Sequence, residues 1–167
     1  MAKITFPGLG AYGEALRQLE ASFAGNNDIL ERAAQAGANP VADEIRKRLD
    51  ALPSDAFRHL EDEDKFSGVP VGNHLDLLDS LGVTPPGRDK NGFVHVKVGW
   101  DGYGSHPTKA YPQGIPNQLL ARAIESGSSV RQKIPFVRPA VKASQKQALE
   151  AMDQSIDKDL KTIFEGG

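Results

Sequence analysis

Ile124-Glu125-Ser126-Gly127-Ser128-Ser129, followed by Pro135-Phe136-Val137-Arg138-Pro139-Ala140-Val141, is where the architecture of this chain turns. Upstream of it, Leu119, Leu120, Ala123 and Ile124 give a helix over Asn117–Ser126 its apolar side, and Gly127 suits the cap that ends it. Downstream, Pro139 suits a first helical position, so the last helix is expected to begin near it. Leu149, Met152, Ile156, Leu160 and Ile163 then recur at helical spacing to the end of the chain. The block is therefore a joint between two helices, and it holds no recognisable catalytic machinery.

Before the joint, Asp101–Pro116 is a long loop rich in Gly and Pro that carries Tyr103, His106 and Tyr111. Loops of such length in compact domains are usually functional or disordered. The run Phe93–Trp100 alternates, with Val94, Val96, Val98 and Trp100 on one face and His95 and Lys97 on the other, the period of a half-buried strand. Asn91-Gly92 is a turn signal, so Pro85–Gly92 should join two antiparallel strands as a hairpin. Leu75, Leu77, Leu78 and Leu81 mark a short helical turn leading into the first of them, near Leu81–Pro85. Residues 53–74, with the acidic run Glu61-Asp62-Glu63-Asp64 followed by Gly68, Pro70 and Gly72, read as a surface loop. Mobility is expected near 53–74 and 101–116.

Toward the N-terminus, Leu30, Ala34, Val41, Ile45 and Leu49 lie on one side of a helix containing Pro40. Either the helix kinks there or Asn39 caps a new helix with Pro40 at its start. The apolar phase carries through, which favours the kink. Tyr12, Leu16, Leu19 and Phe23 mark a further amphipathic helix, ended by Gly25-Asn26-Asn27.

A chain of 167 residues suggests a single domain over 1–167, able to bury a core without a staple. With no cysteine there is neither a disulfide nor a thiolate nucleophile or metal ligand. A net charge of -2 demands no nucleic-acid or membrane partner. No run approaches the length of a membrane span, and Met1–Pro7 has no signal-peptide core, so synthesis and use in the cytosol are expected.

His59, His74, His95 and His106 lack metal-ligand spacing, so no metal or other cofactor is expected. The acidic run has no calcium-loop pattern and reads as a solvated loop. Ser126-Gly127-Ser128-Ser129 is not a nucleophile elbow, and the glycines of Gly8–Gly13 are in the wrong register for a dinucleotide loop. From Ser126 to Leu149 there is no Asp or Glu, while Arg131, Lys133, Arg138, Lys142 and Lys146 add up to a local +5. A solvated face explains this; so does a basic surface for a subunit or for nucleic acid. Arg138 sits among residues that should pack, and Glu125 is its natural partner.

The Glu125-to-Ser128 turn and the Pro135–Ala140 block resemble the phage tail-component family, the small neck, tail-completion and head–tail joining proteins of long-tailed bacteriophages and prophages. Ala33–Val41 looks like that family's early helix, and Gly72-Asn73-His74-Leu75 with Asp79-Ser80-Leu81 looks like its helix-to-sheet element. Val71 stands where the family commonly has Thr, and both long loops look like additions.

The resemblance implies an α+β fold, a small mostly antiparallel sheet with packed helices, a long kinked N-terminal helix and a long C-terminal helix. It implies a structural virion protein at the head–tail junction, assembled in the host bacterial cytoplasm as a homo-oligomeric ring, by expectation a hexamer. Its partners would be the connector or adaptor and the tail-tube proteins, with DNA passing the lumen and no membrane. It would not be an enzyme. The interface residues expected are Glu125, Arg131, Lys133, Phe136 and Arg138, with Tyr103, His106 and Tyr111. The alternative is a small nucleic-acid-binding module using the basic segment 131–146.

Overall fold

A computed structural model describes residues 28–56, 60–61 and 63–165, together with Arg17 and Ala21. Apart from Arg17 and Ala21, both helical, the helix expected over Tyr12–Phe23 lies outside the described residues, as do the Gly8–Gly13 segment, His59 and Asp62.

The fold is α+β. Helix α1 spans Asp28–Asp50 and runs through Pro40 unbroken, so the alternative of a new helix starting there fails. A proline inside a helix removes one backbone bond. The buried row on both sides of it continues in phase and holds the element together: Ile29, Ala33, Ala38, Ala42, Ile45 and Leu49 are all buried. In the first half this row is one residue earlier than the expected Leu30 and Ala34, which are only half-buried.

After α1 the chain forms β1 (Ser54–Asp55), which pairs in parallel with β2 (Val69–Pro70). This corrects the expectation of a plain surface loop over 53–74. Val69 is fully buried, and helix α2 (Val71–Ser80) starts four residues before Leu75. Glu61, Glu63 and Asp64 are exposed, as a solvated acidic loop should be.

Next comes a long antiparallel ribbon. β3 (Leu81–Val83) pairs with β6 (Val98–Trp100), and β4 (Gly87–Arg88) pairs with β5 (Val94–His95) beyond it. The expected single strand Phe93–Trp100 is split in two. Three residues, Thr84 to Pro86, face two, Val96 and Lys97, and two of those three are prolines without an N–H to donate. Thr84 covers part of the loss: its N–H donates to the Lys97 carbonyl, and its Oγ1 accepts from the Lys97 N–H at 3.0 Å. The burial alternation survives the break from Val94 to Val98, after which Gly99 and Trp100 are both half-buried.

Helix α3 spans Asn117–Ser126 and helix α4 spans Val137–Glu165. α4 lies antiparallel along α1. Arg32 pairs with Asp159 at 3.0 Å, and a Cβ on Gly37 would lie 2.6 Å from Met152 Cγ. Glycine at 37 thus lets the two helices approach closely. One buried cluster joins α1, β2, α2, β3, α3 and α4 through Ile45, Leu49, Val69, Leu77, Leu81, Leu120, Ile124, Phe136 and, from α4, Ala140. No described helix is long and apolar enough to cross a membrane.

Candidate functional site

The helix joint is built around one carboxylate. Gly127 takes a positive φ of 77°, which glycine adopts without strain, and turns the chain so that Ser128–Pro135 returns beside α3. The Ile134 N–H donates to the Ile124 carbonyl at 2.8 Å and fixes the return. Glu125, in the last turn of α3, then faces the start of α4. Its Oε2 accepts from the N–H groups of Phe136 (2.6 Å) and Val137 (2.8 Å), and its Oε1 from that of Arg138 (3.2 Å). The first N–H groups of a helix have no partner within it, and the next residue, Pro139, has no N–H at all. One side chain therefore satisfies the start of α4, and a carboxylate there also meets the positive end of the helix dipole. Burial pushes the Glu125 pKa up; the three backbone donors and the charge of Arg138 outweigh it and hold the group below its ordinary value.

Phe136 is 1% exposed and meets Trp100 edge-to-face, with ring centroids 5.8 Å apart. Trp100 in turn donates its indole N–H to the Leu77 carbonyl at 3.0 Å. Sequence reasoning placed Phe136 among the interface residues; it is a core residue of the subunit.

The expected Arg138–Glu125 ion pair exists only loosely. Nε and Oε1 are 3.9 Å apart, and the Arg138 side chain is 81% exposed. Glu125 belongs to the helix start, and Arg138 projects into solvent rather than packing with its neighbours.

Arg131 also departs from expectation. It is 7% exposed, donates to the Gly68 carbonyl at 2.6 Å, and stacks over the Phe66 ring at 5.2 Å. Burial lowers its pKa and the charge of Asp55 opposes this; an arginine remains cationic regardless. Arg131 therefore anchors the segment before α2 to the joint and leaves the basic surface. That surface keeps Lys133, Arg138, Lys142 and Lys146, all exposed, and gains Arg122 from α3, which lines the same groove as Arg138.

Tyr103 pairs with Pro116 just before α3, at the end of that helix away from Glu125, which lies eight residues or about 12 Å along it from Asn117; His106 and Tyr111 belong to the same loop as Tyr103. The structure does not bring the two groups of expected site residues together. Tyr103 and Tyr111 are exposed. The loop carrying them is pinned at its base: Gly104 N–H donates to the Ile115 carbonyl, and Asn117 donates from its backbone to Gly102 and from Nδ2 to the Asp101 carbonyl.

Asp76 of α2 fastens the middle of that loop and was not picked out by sequence. Its Oδ2 accepts from the Ser105 N–H (2.7 Å) and Oγ (3.0 Å), while His106 Nδ1 hydrogen-bonds Ser105 Oγ at 3.0 Å. The imidazole covers Gly72, where a Cβ would lie 2.0 Å from its Cε1. In a nucleophilic triad the acid orients the imidazole; here it holds the serine itself, and the trio serves to lock the loop onto α2. No spacing rule links Asp76 to residues twenty-nine positions away.

Among the described residues no group of three His, Asp or Glu could hold a metal ion. Comparison with protein-family models, with curated proteins and with solved structures gives no match to this chain.

Proposed function

We propose that this chain is a non-enzymatic structural protein of the phage tail-component type, a neck or tail-completion subunit that joins tail to connector as a homo-oligomeric ring. The observation that carries the proposal is how the signature residues divide. Glu125, Phe136 and Ala140 are spent inside the subunit on one helix joint, while Lys133 and Arg138 from the same block stand in solvent. A block of this kind makes the subunit rigid and leaves its charged edge for a neighbour.

Other features support the same reading. Val71, Leu75, Phe93 and Tyr103 are exposed apolar or aromatic side chains spread over α2, the ribbon tip and the pinned loop. Of these, Val71 and Leu75 are one turn apart on α2 and make an adjoining apolar pair, the kind of patch that suits a protein contact. Each described sheet has only two strands, so each strand offers an edge that a neighbouring subunit could extend. The partners would be further copies of the chain, the connector or adaptor, and the tail tube, in a virion assembled in the host cytoplasm. Mixing the protein with purified tail tubes or connector-bearing heads tests this: co-sedimentation at the junction is expected, and no binding to either would contradict it.

The exposed cations Arg122, Lys133, Arg138, Lys142 and Lys146 favour a second reading, a nucleic-acid-binding module. Some four phosphate contacts predict a log–log salt dependence with a slope of about −3 to −4 on duplex DNA. Binding without that slope, or no binding, removes this alternative.

A further inference from the structure

Gly82 and Gly99 face each other across the β3–β6 pair. Glycine weakens a strand interior, and where it persists a ligand or another backbone often comes close. Among the described residues nothing asks for either one. Neither has a positive φ, and a Cβ built on either meets no described atom within 4 Å. Leu81 and Trp100 point to the core, so the two glycines form a bare platform on the outer face. The platform is the floor of a recess of about 750 Å³, with Lys97 toward one end, Asp101 toward the other, and Pro85 and Gln118 in its walls.

The tip of the same ribbon carries the complement. Phe93 is 70% exposed, the highest value among the exposed large hydrophobic residues. Its position is preset, because Asp89 Oδ1 accepts from the N–H groups of both Asn91 (2.8 Å) and Phe93 (2.9 Å). A preset anchor loses little freedom on docking. Phe93 lies six residues beyond Gly99, about 20 Å along the strand at 3.3 Å per residue, so it cannot reach its own platform. Asp89 and Lys90, both exposed at the tip, match the Lys97 and Asp101 ends of the recess in one docking polarity and oppose them in the other.

We propose that Phe93 of one copy seats on the Gly82–Gly99 platform of a second copy. An aromatic ring laid over strand glycines supplies the cover their missing side chains leave open. Because tip and platform are different patches, the contact passes head to tail and generates a ring where the rotation closes. This inference rests on the ring-forming reading above and names its subunit contact.

The absence of cysteine makes the test direct. Asn91→Cys and Gln118→Cys variants, which keep Phe93 and both glycines in place, are mixed and mildly oxidised, and the products are mapped by mass spectrometry. A disulfide joining position 91 at the tip of one chain to position 118 at the recess of another is expected. Gly99→Val is the second test. With open space above it, melting should be unchanged or higher, while self-association falls at least tenfold. Oligomers that form without the 91–118 link, or a Gly99→Val variant that associates normally, overturn the platform contact and leave self-assembly standing. A wild-type chain that stays monomeric at high concentration, together with no link between the two cysteine variants, contradicts both.

Discussion

Glu125 shows how much a single side chain can settle. Its carboxylate accepts three N–H bonds that α4 could not otherwise satisfy, across a turn that Gly127 makes possible. Glu125→Ala is expected to cost about 2 kcal/mol, the loss of a helix cap with charge-assisted bonds, read as a lower midpoint in urea. The folded pKa is depressed, so the ionised form favours the fold. This stabilisation is complete above the ordinary carboxyl value of about 4.3 and is lost as pH falls through the lower folded value. A Glu125→Gln variant should show a smaller loss of stability between pH 5 and pH 2 than the wild type, and equal acid sensitivity would contradict the cap. Phe136→Ala should cost about 3–5 kcal/mol, since truncating a buried aromatic leaves a cavity beside Trp100; calorimetry would register it as a large drop in melting temperature. For Arg131, lysine should fail to rescue, because a point charge cannot both bond the Gly68 carbonyl and stack on Phe66.

The α1–α4 pairing is held by small residues. Gly37→Leu should cost about 1–3 kcal/mol by forcing the helices apart at Met152 and Ala148, and thermal unfolding would report it. The same pairing explains what the sequence concealed. Its contact row runs through buried Ala140, buried Ser144 and half-buried Ala148, which hydropathy hardly registers, whereas Leu149, conspicuous in the sequence, is 54% exposed. The ribbon was legible because alternation from Val94 to Trp100 is a property of one strand and needs no knowledge of the rest. The β1–β2 pair was not, because strands of two residues have no period and parallel pairing joins distant segments. α3 and its Gly127 cap were found from local signals alone. The joint itself was found as a block, but its chemistry was misassigned: spacing suggests a charge pair for Glu125, and only the folded geometry shows backbone N–H groups as its partners.

At the scale of the whole molecule, the buried cluster uses residues from α1, α2, α3 and α4, and in the proposed ring a neighbouring subunit would meet the charged and aromatic groups left outside. Arg138 is the separating case. Its side chain stands mostly in solvent, so Arg138→Glu should change stability by less than about 1 kcal/mol, the usual size for surface substitutions, plus a small repulsion from Glu125. Association should fall much further, and a variant that assembles normally would remove Arg138 from the interface. The most direct measurement is the solution mass of the wild-type protein by light scattering as its concentration is raised, with negative-stain images of the same sample. The account predicts closed rings of one defined mass; particles that remain monomeric throughout, and that bind neither tail tubes nor connector-bearing heads, would contradict it.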